Sequence, residues 1–477
     1  MNADWLVRGV SWPQDLTEAA RVFAGQSELA WLDSAVDADL QTVPARYSLV
    51  CREPMAVIEQ HDGDVARLAV CEKLAATNAN GWLLWRQALE RLPCWPPTDW
   101  GIAPGWIGYM GFEMARQLER LPVSHRARLG LPLLRLALFD RGILLDHLEH
   151  RAFAVAGRGA RDGWGLREVA LDELAESWER AARARAGPRP ATDARLSFQM
   201  SQAEYEPLVE RVLEYIAAGD VYQVNLAQRL QFTGLPAPLD AYAALRCGNP
   251  APYSALLRWP GGAIASLSPE LFLQLRGRAV LTRPIKGTRP RTRDPALDAV
   301  YREQLLGSEK EAAELAMIVD LHRNDLGRVC AFGSVRVPHA RRIETHPTVF
   351  HTVADVVGRL RHDRDALDLL SACFPAGSIS GAPKIRALEI IDELEPAARG
   401  AYTGAVGVLG LDGQMTFNVA IRTLQFRGET ATLYVGGGIV ADSDPAAEYE
   451  ETLAKARGIV QALVRTETGA QLARWGI

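Results

Sequence analysis

Short apolar runs that alternate with turn residues dominate residues 1–190. Examples are "RYSLVCREP", "AVIEQHDG" and "RLALFDRGILLDHLEHRAFAVAG", each of which ends at Pro or Gly. Runs of this length that are bounded by turn residues are typical of β-strands. The pattern therefore predicts a strand-rich first part that also carries some helices.

The pattern after residue 190 alternates between helical and strand spacing. The stretch "SQAEYEPLVERVLEYIAAGDVYQVNLAQRLQF" predicts a helix that starts at Ser201 and ends near Gly219, followed by a strand. The runs "SALLRW", "AIASLS", "LFLQLRG" and "AVLTRPI" are separated by Gly or Pro and predict an antiparallel meander. Apolar residues at i, i+3 and i+4 predict helices in "SEKEAAELAMIVDLHRNDLG" and "SGAPKIRALEIIDELEP", before a last group of strands.

A change of composition suggests where the chain divides. At "ARARAGPRPATDAR", residues 182–195, an Ala/Arg-rich helical stretch gives way to Gly, Pro and polar residues. The chain of 477 residues is also longer than one usual hydrophobic core. We therefore predict an α+β protein with an N-terminal region over residues 1–190 and a catalytic region over residues 191–470.

Composition excludes several classes of protein. The formal net charge is −5, whereas a nucleic-acid binder needs an excess of Lys and Arg to neutralise phosphates. The N-terminal stretch "MNADWLVRGVSWPQDL" has charges where a signal peptide needs an apolar run, and no segment reaches the ~20 apolar residues that span a bilayer. We expect a cytoplasmic protein that binds neither nucleic acid nor membrane.

The cysteines support the same location. They are widely spaced, form no CxxC pair and have no histidine at a zinc-ligand interval, which predicts reduced, buried thiols. They are Cys51, Cys71, Cys94, Cys247, Cys330 and Cys373.

Two pairs of glutamates fall on predicted helices. Glu311 with Glu314, and Glu448 with Glu451, are each spaced i, i+3, which places both carboxylates of a pair on one helix face. Two such faces meeting would offer the carboxylate oxygens that Mg²⁺ prefers. For either pair alone an ordinary surface helix is the commoner explanation, and Ser308 with Glu311 also fits a capping box.

The stretch "YVGGGIVADSDPAAEYEETLAKAR" combines a glycine run with one of these pairs. Gly436–Gly438 would let the carboxylate of a ligand approach backbone N–H groups without obstruction by Cβ atoms. The helix that follows places Glu448, Glu451 and Lys455 on one face. The plain alternative is a tight turn before a helix with surface ion pairs.

The stretch "LTRPIKGTRPR" gathers Arg283, Lys286, Arg289 and Arg291. A nucleophilic lysine needs a pKa below its usual ~10.4, which burial or nearby cations can provide. A solvated basic loop is the alternative. Elsewhere, "FPAGSISGAPKIRA" lacks the spacing of a Walker A loop and at most suits an anion at a helix N-terminus.

Two polar residues interrupt apolar, strand-like stretches. They are His351 in "VFHTVADV" and Arg422 in "NVAIRTL". A satisfied core histidine and an ion-paired arginine are the plain explanations for them.

Taken together, the order of these motifs resembles the chorismate-utilising enzymes, and within them the large components of aminodeoxychorismate synthases. The resemblance covers residues 197–465 densely. Its motifs are "DVYQVNLAQR", "SLSPELF", "RPIKGTRPR", "MIVDLHRNDLGRV", "FPAGSISGAPKIRALEIIDELEP", "RGAYTGAVG", "IRTL" and "GGGIVADSDPAAEYEETLAKA". The N-terminal region matches more weakly, through "ELAWLDSA" and "GWIGYMGFE". The fold that this implies is a large antiparallel β-sandwich flanked by helices.

The resemblance also implies a reaction and a set of residues. Lys286 matches the nucleophile that attacks C2 of chorismate, and Glu270 matches the general acid for the leaving C4 hydroxyl. Ammonia then displaces the lysine, which gives 4-amino-4-deoxychorismate for 4-aminobenzoate and folate biosynthesis. Glu314 and Glu451 match Mg²⁺ ligands, with Glu311 and Glu448 as partners that act through water. The implied substrate-binding residues are Gly287, Thr288, His351, Ser378, Tyr402, Arg422, Gly436, Gly437, Gly438 and Lys455.

Two positions distinguish the branches of this family. Anthranilate synthases usually carry alanine in "PIAGT" where this chain has Lys286, and isochorismate and salicylate synthases carry a water-activating lysine where it has Gln223. Anthranilate synthase component I remains the alternative, because "RGAYTGAVG" is closer to its wording. Alternatives of a different class are a non-catalytic chorismate-binding regulatory subunit and a phosphate-binding protein.

The ammonia source and a second pocket complete the expectations. A glutaminase needs a nucleophilic cysteine in a glycine-flanked turn, and none of the six cysteines has that context. The resemblance therefore implies a separate glutamine amidotransferase subunit. It also implies a pocket that binds tryptophan in relatives, formed by Ser34, Arg46, Tyr47, Tyr253 and Ser254, and the sequence assigns no occupant to it here.

Overall fold

The computed structural model describes residues 5–34, 46–61, 66–69, 80–92, 94–122, 130–158, 168–185 and 194–464. Within these ranges the helices are α1 (Leu16–Ala24), α2 (Gly81–Glu90), α3 (Ala115–Leu118), α4 (Glu168–Ala181), α5 (Gln202–Ala217), α6 (Pro238–Gly248), α7 (Pro295–Gly307), α8 (Glu309–Gly327), α9 (Ala366–Cys373), α10 (Lys384–Leu394) and α11 (Pro445–Leu463). Short 3-10 turns cover Phe112–Met114 and Gly377–Ile379.

The strands of the first half of the chain are β1 (Trp5–Val10), β2 (Leu29–Asp33), β3 (Tyr47–Arg52), β4 (Ala56–Gln60), β5 (Arg67–Ala69), β6 (Gly105–Met110), β7 (Leu134–Leu138), β8 (Arg141–Asp146) and β9 (Arg151–Gly157). Those of the second half are β10 (Arg195–Phe198), β11 (Gln223–Thr233), β12 (Tyr253–Trp259), β13 (Gly262–Ser268), β14 (Leu271–Arg276), β15 (Ala279–Arg283), β16 (Ile285–Pro290), β17 (Arg336–Thr345), β18 (Val349–Arg359), β19 (Gly381–Ala382), β20 (Ala405–Gly410), β21 (Met415–Val419), β22 (Thr423–Arg427) and β23 (Thr430–Ile439).

The described strands form two antiparallel sheets. The first has the order β1-β9-β8-β3-β2-β12-β13-β22-β23-β11-β10, with β19 paired to β11. The second has the order β16-β18-β15-β14-β21-β20-β6-β7-β4-β5, with β17 paired to β18. Both sheets therefore contain strands from each side of the expected boundary at residue 190, and the division into two regions stays a prediction.

Alternation along the strands shows how the layers pack. On β2, Trp31 packs with the core beneath α1, α4, α6 and α11, whereas Ala30 and Leu32 pack between the two sheets. On β6, Trp106 points to the core shared with α2, α8, α9 and α10, and Ile107 points to the inter-sheet core. Successive side chains of a strand face opposite sides of a sheet. The predicted α+β class and the helix-flanked β-sandwich are thus confirmed.

Among the connections that carry the chain from one sheet to the other, two follow β13 and β21. β13 ends at Ser268 in the first sheet and β14 begins at Leu271 in the second, so residues 269–270 cross the sandwich. Residues 420–422 cross back between β21 and β22. The predicted meander is wrong at the first crossing, because the local pattern of two strands around a proline is the same whether the second strand returns or changes sheet.

Several predicted elements match the structure closely. Helix α5 follows Ser201, whose side chain forms a capping box with Glu204. This is the arrangement that satisfies the free N–H groups of a first helical turn. Helices α8 and α10 lie in the two segments with i, i+3, i+4 spacing. The capping residue of α5 and the apolar spacing within α8 and α10 were therefore sufficient to place these elements.

The cysteines only partly match the expectation. Cys51, Cys330 and Cys373 are buried free thiols, as predicted. Cys94 and Cys247 are exposed, because the first lies in an irregular segment after α2 and the second on the outer surface of α6 near its end. Cys71 lies outside the described residues. No helix among the described residues is long and apolar enough to cross a membrane.

Candidate active site

The predicted site residues come from both sheets and from two helices. Lys286 and Thr288 lie on β16 and His351 on β18, at one edge of the second sheet, while Gly436–Gly438 lie on β23 of the first. Helix α8 carries Glu311 and Glu314, and α11 carries Glu448, Glu451 and Lys455. Glu270 lies on the connection between β13 and β14, and Arg422 lies on the connection between β21 and β22.

Lys286 is largely enclosed, with 14% of its side chain exposed, and its Nζ lies 3.9 Å from Glu314 Oε2. Burial lowers the pKa of Lys286, and Lys455 lowers it further, whereas Glu314, Glu270 and Glu451 act in the opposite direction. Desolvation disfavours the charged form of an amine. The surroundings thus favour a neutral, nucleophilic amine more than water would.

The arginines of the same loop have separate partners. Arg283 donates to Asp355 at 2.6 Å, and Arg289 donates to Glu311 at 2.8 Å. Arg291 donates to the carbonyl oxygen of His346 at 3.1 Å and lies 3.3 Å from Asp298. These contacts fasten the loop to β18 and to helices α7 and α8. The cation that lowers the pKa of Lys286 is therefore Lys455 of α11, not a neighbour in the basic loop.

Glu270 is 3% exposed and lies where the chain leaves the first sheet. The hydroxyl of Ser378 donates to Glu270 Oε1 at 2.5 Å. Burial raises the pKa of Glu270 to about 7, although the Ser378 hydrogen bond and the charge of Lys286 both lower it. A carboxyl group with this pKa can hold a proton at neutral pH and release it, as a general acid must.

The glutamates of α8 approach the Lys286 loop at a glycine. Gly287 has φ +81°, and a Cβ atom there would lie 2.8 Å from Glu311 Oε2. One oxygen of Glu311 accepts from Arg289, while Oε2 is buried and has no hydrogen-bond partner among the described residues. A buried carboxylate oxygen without a partner is costly, which suits a cation or a bound water at this point.

The glutamates of α11 approach the glycine run in the same way. A Cβ atom on Gly437 would lie 2.8 Å from Glu448 Oε2 and 3.6 Å from Glu451 Oε1. Ser443 donates to the other oxygen of Glu448 at 2.6 Å, and burial raises the pKa of this carboxyl. For Glu451, burial acts to raise the pKa, but Lys455 and Lys286 outweigh it and the pKa is lowered.

The four glutamates supply oxygen donors of the kind that Mg²⁺ takes. Both pairs lie beside glycines of the same pocket, and Lys286 interacts electrostatically with Glu314 of α8 and Glu451 of α11. In the described part of the chain no three His, Cys, Asp or Glu side chains already converge as in a preformed metal centre. The donors fit a hard divalent ion that water and substrate oxygens help to hold.

Two further side chains of the pocket, Arg422 and His351, have polar groups without a hydrogen-bond partner among the described residues. Arg422 has φ +51°, and its guanidinium has no hydrogen-bond or ion-pair partner among the described residues. Burial lowers its pKa. His351 shares a hydrogen bond of 2.9 Å between its Nδ1 and Thr288 Oγ1, while its Nε2 has no described partner. Burial and the nearby Arg422 hold the pKa of His351 well below its usual value, so the ring is neutral.

Gln223 is a pocket residue that the sequence marked only as a point of difference between enzyme branches. Neither atom of its buried amide has a hydrogen-bond partner among the described residues. The amide lies against Gly438, where a Cβ atom would collide with it and would be 3.5 Å from Lys286 Nζ. The glycine run therefore brings Gln223 and Lys286 to the same point.

The remaining predicted binding residues lie near this centre. Lys455 donates to the carbonyl oxygen of Gly436 at 2.9 Å and pairs with Glu451 at 2.6 Å. Tyr402 is buried and stacks on Tyr434 of β23, with ring centroids 5.5 Å apart. It thus supports the strand that carries the glycines.

The residues predicted for a second pocket lie at or beside neighbouring ends of β2, β3 and β12. The N–H of Ser34 donates to Ser48 Oγ at 2.9 Å, and Ser254 is opposite Asp33 in the sheet. Arg46 donates to Asp146 at 2.8 and 2.5 Å and lies over the ring of Tyr47. Tyr253 precedes Ser254 on β12.

Sequence reasoning missed Asp33 of this pocket, which is buried and accepts from Arg246 at 2.6 Å and from Tyr242 at 3.0 Å. A polar residue at the end of the apolar strand "LAWLD" was the available signal. The tryptophan role of the pocket stays a prediction.

Comparison with known proteins gives a consistent family. A model described as chorismate binding enzyme matches residues 35–461. Anthranilate synthase component 1 of Streptomyces coelicolor is 40% identical over 447 residues, which cover 90% of this chain and 84% of the relative. Aminodeoxychorismate synthase component 1 of Klebsiella aerogenes is 39% identical over 425 residues, which cover 88% of this chain and 90% of the relative.

The fold is also shared with a solved structure. The crystal structure of anthranilate synthase component I from Streptococcus pneumoniae TIGR4 superposes with a TM-score of 0.77 at 28% identity. The match covers 88% of this chain and 94% of that one. The relatives thus agree on the family and carry two different enzyme names.

We predict that Glu270→Gln changes how the free energy of unfolding depends on pH. The carboxyl has a pKa of about 7 in the folded protein. This is higher than in an unfolded chain, so its stabilisation is full at low pH and is lost as pH rises to about 7. Relative to the variant, the wild type should lose about 2–3 kcal/mol of stability between pH 5 and pH 8.

Urea unfolding of both proteins at the two pH values measures this loss. Glu210→Gln, which removes an exposed carboxyl from α5, controls for the substitution itself. An equal difference between wild type and Glu270→Gln at both pH values would contradict a protonated Glu270.

Proposed function

The chain belongs to the chorismate-binding enzyme family, and we propose that it aminates chorismate to 4-amino-4-deoxychorismate through a covalent adduct on Lys286. The observation that carries the proposal is the position of that amine. It lies in the same pocket as Glu270 and 3.9 Å from Glu314, in surroundings that lower its pKa. The sequence resemblance implies alanine at this position in anthranilate synthases.

The proposed reaction proceeds in two displacements. The Lys286 amine attacks C2 of chorismate, the ring double bonds shift, and the C4 hydroxyl leaves as water with the proton of Glu270. Ammonia then attacks C4, the double bonds shift back, and the Lys286 amine leaves C2. The adduct nitrogen returns a proton to Glu270, and the leaving amine of Lys286 takes a proton from the new ammonium at C4. Both residues thus return to their starting forms while one ammonia is consumed and one water is released. General acid catalysis of the first step typically contributes about 10²–10⁴-fold.

Binding of the dianionic substrate is supported by groups that lack partners or that can change them. The unpaired guanidinium of Arg422 is suited to a carboxylate, as a planar donor with fixed geometry. Lys455 is already at the glycine run, where it contacts Gly436. Gly436–Gly438 let the backbone come close to a bound anion, since no Cβ atom intervenes.

A magnesium ion is part of the proposal. Glu314 and Glu451 would hold it, with Glu311 and Glu448 beside them, and its charge would neutralise the ring carboxylate of chorismate. The donors fit because all are carboxylates and one buried oxygen of Glu311 has no described partner. Chain residues would still perform the proton and amine steps.

We also propose that ammonia comes from a glutamine amidotransferase subunit. Burial raises the pKa of Cys51, Cys330 and Cys373, so these thiols are poor nucleophiles. Cys94 and Cys247 are exposed and are not among the residues of the candidate active site. Thus no described cysteine lies in a site of the kind that glutamine hydrolysis requires.

The second candidate is the anthranilate synthase reaction of component I. The relatives are consistent with either reaction, because the Streptomyces coelicolor and Klebsiella aerogenes proteins are 40% and 39% identical and carry different names. Both reactions begin with chorismate and ammonia. Their products differ, so product analysis separates them.

With chorismate, Mg²⁺ and free ammonia, the protein is expected to form 4-amino-4-deoxychorismate and no anthranilate. The physical reason is that the lysine adduct directs ammonia to C4. Liquid chromatography with mass detection identifies the first product, and fluorescence detects the second. Glutamine should replace ammonia only when an amidotransferase subunit is added. Strong anthranilate fluorescence from the purified chain would contradict the proposal.

Substitution Lys286→Ala is expected to lower the amination rate by at least about 10²-fold, because the covalent route is lost. Wild-type protein trapped with chorismate in the absence of ammonia should carry an added mass on the peptide that contains residue 286. Peptide mass spectrometry of the variant should find no such mass. Arg323→Ala on the exposed side of α8 is the control. Full activity of Lys286→Ala would rule out the nucleophile role.

Removal of one metal ligand is expected to weaken Mg²⁺ binding directly. Glu314→Gln should lower the affinity by more than about tenfold, because one charged oxygen donor is lost. Isothermal titration with Mg²⁺ measures this without turnover. Asp320→Asn removes an exposed carboxylate from the same helix and should leave the affinity unchanged. Equal affinities of Glu314→Gln and wild type would exclude this residue as a ligand.

A further inference from the structure

A buried lysine at the start of α10 has no place in the proposed chemistry. Lys384 is the first residue of α10, and its side chain is 11% exposed. Its Nζ donates to Asp325 Oδ2 at 2.6 Å and to the carbonyl oxygen of Cys373 at 2.9 Å. Asp325 belongs to α8 and is also buried, with 7% of its side chain exposed. The contacts therefore join three segments at one ammonium group.

These contacts close a loop. Cys373 is the last residue of α9 and Lys384 the first of α10, so the ammonium links the two ends of the segment 374–383. At the middle of this segment a 3-10 turn presents Ser378, whose hydroxyl donates to Glu270 at 2.5 Å. The geometry of that hydrogen bond depends on where the loop ends are held.

The ion pair also holds the loop against α8, the helix that carries two of the proposed metal ligands. Helix α8 carries Glu311 and Glu314 in its first turns and Asp325 near its end. The loop packs on the same helix, because a Cβ atom on Gly377 would reach 2.9 Å from Leu321 Cγ. A fixed distance from α8 to Ser378 is thus a fixed distance from the metal-ligand helix to the general acid.

The ion pair of Lys384 with Asp325 is buried, unlike an ordinary surface ion pair. Burial raises the pKa of Asp325, and Lys384 and Arg328 act against it. His322, one turn earlier on α8, has a pKa of about 3 because of burial and the same Lys384, so it is neutral there. A buried carboxylate that loses its cation is strongly destabilised. The ion pair therefore keeps Lys384 and Asp325 in one relative position.

We propose that Lys384 is a positioning residue for the reaction, which acts through the Ser378 loop to hold the Glu270 carboxyl in its productive orientation. The inference rests on the proposed role of Glu270 as general acid. A displacement of a catalytic group by about 1 Å can cost on the order of 10²-fold in rate. Loss of the Lys384 contacts would have this effect without removing any group that touches the substrate.

A double-mutant cycle tests whether Lys384 acts through Ser378. Loss of chorismate is followed with Mg²⁺ and free ammonia for wild type, Lys384→Met, Ser378→Ala and the double variant. Lys384→Met is expected to lower kcat by about 10²-fold with KM changed by less than about threefold. In the Ser378→Ala background the same change should lower kcat by less than about threefold, because coupled residues are not additive. Equal losses in both backgrounds would overturn the proposal.

A second measurement needs no turnover. The pKa of Glu270 is followed by ¹³C NMR of protein labelled at the glutamate carboxyls, with Glu270→Gln to identify the signal. Ser378→Ala should raise this pKa above about 7, since the hydroxyl hydrogen bond lowers it. Lys286 and the backbone N–H of Ile285 also face the carboxyl and stay in place. Lys384→Met should raise the pKa in the same direction, and an unchanged value would contradict the proposal.

Control variants separate positioning from simple stability. Arg386→Met removes two partly exposed ion pairs, with Asp220 and Glu389, two residues along α10 and should alter neither kcat nor the pKa of Glu270. If Lys384→Met does not fold, the variant Lys384→Met/Asp325→Asn removes both buried charges and replaces it. Failure of both to fold while Ser378→Ala folds would assign Lys384 to stability alone.

The identity of the product does not enter this test. Formation of anthranilate would sink the proposed amination at C4 but leave the cycle readable from chorismate loss. An inactive wild type would sink the proposed function, and the pKa of Glu270 would still decide the role of Lys384.

Discussion

The active site depends on two chain crossings that lie side by side between the sheets. A strand that leaves its sheet gives up ladder partners, and buried backbone groups must find others. Here the crossings satisfy each other. Ser268 Oγ donates to the carbonyl oxygen of Val419 at 2.6 Å, and the N–H of Val419 donates to the carbonyl oxygen of Glu270 at 3.1 Å. The N–H of Leu267 donates to the carbonyl oxygen of Arg422 at 3.1 Å. The pairing brings an acid and an unpaired guanidinium to one pocket.

A buried arginine supports this arrangement from behind. Arg399 is fully buried and donates to Glu395 at 2.6 Å, to the carbonyl oxygen of Asn225 at 2.6 Å and to Thr403 at 3.1 Å. The N–H of Thr403 donates in turn to the carbonyl oxygen of Ala420, within the second crossing. Desolvation offsets much of the Coulomb energy of a buried ion pair, so its main contribution here is to fix the geometry of the groups that it joins. Arg399 therefore connects the strand that carries Gln223 with the chain crossing that carries Arg422.

The sequence predicted local structure well and long-range partners poorly. Helix α5 could be placed because its capping box lies within four residues, and the spacing of Glu311 and Glu314 assigned them to one face. The change of sheet before Leu271 could not be seen, since both outcomes give the same strand pattern. Nor could the partner of Arg283, which lies 72 positions away at Asp355. That α8 and α11 contribute to one site followed from the family resemblance, not from periodicity.

The charges of the pocket bear on the proposed binding of both a divalent ion and a dianionic substrate. Without ligands, basic side chains already accompany three of its glutamates: Lys286 beside Glu314, Lys455 on Glu451 and Arg289 on Glu311. A divalent cation and a dianionic substrate together add no net charge to the pocket. Binding both therefore requires the charged side chains to exchange ion-pair partners, but it requires no further charged groups. If the glutamates held the ion, Lys455 would become available to a substrate carboxylate and Lys286 would lose the carboxylate that favours its charged form. On this argument the glutamates would prepare the proposed nucleophile for attack as well as bind the proposed metal, which agrees with the 3.9 Å between Lys286 Nζ and Glu314 Oε2.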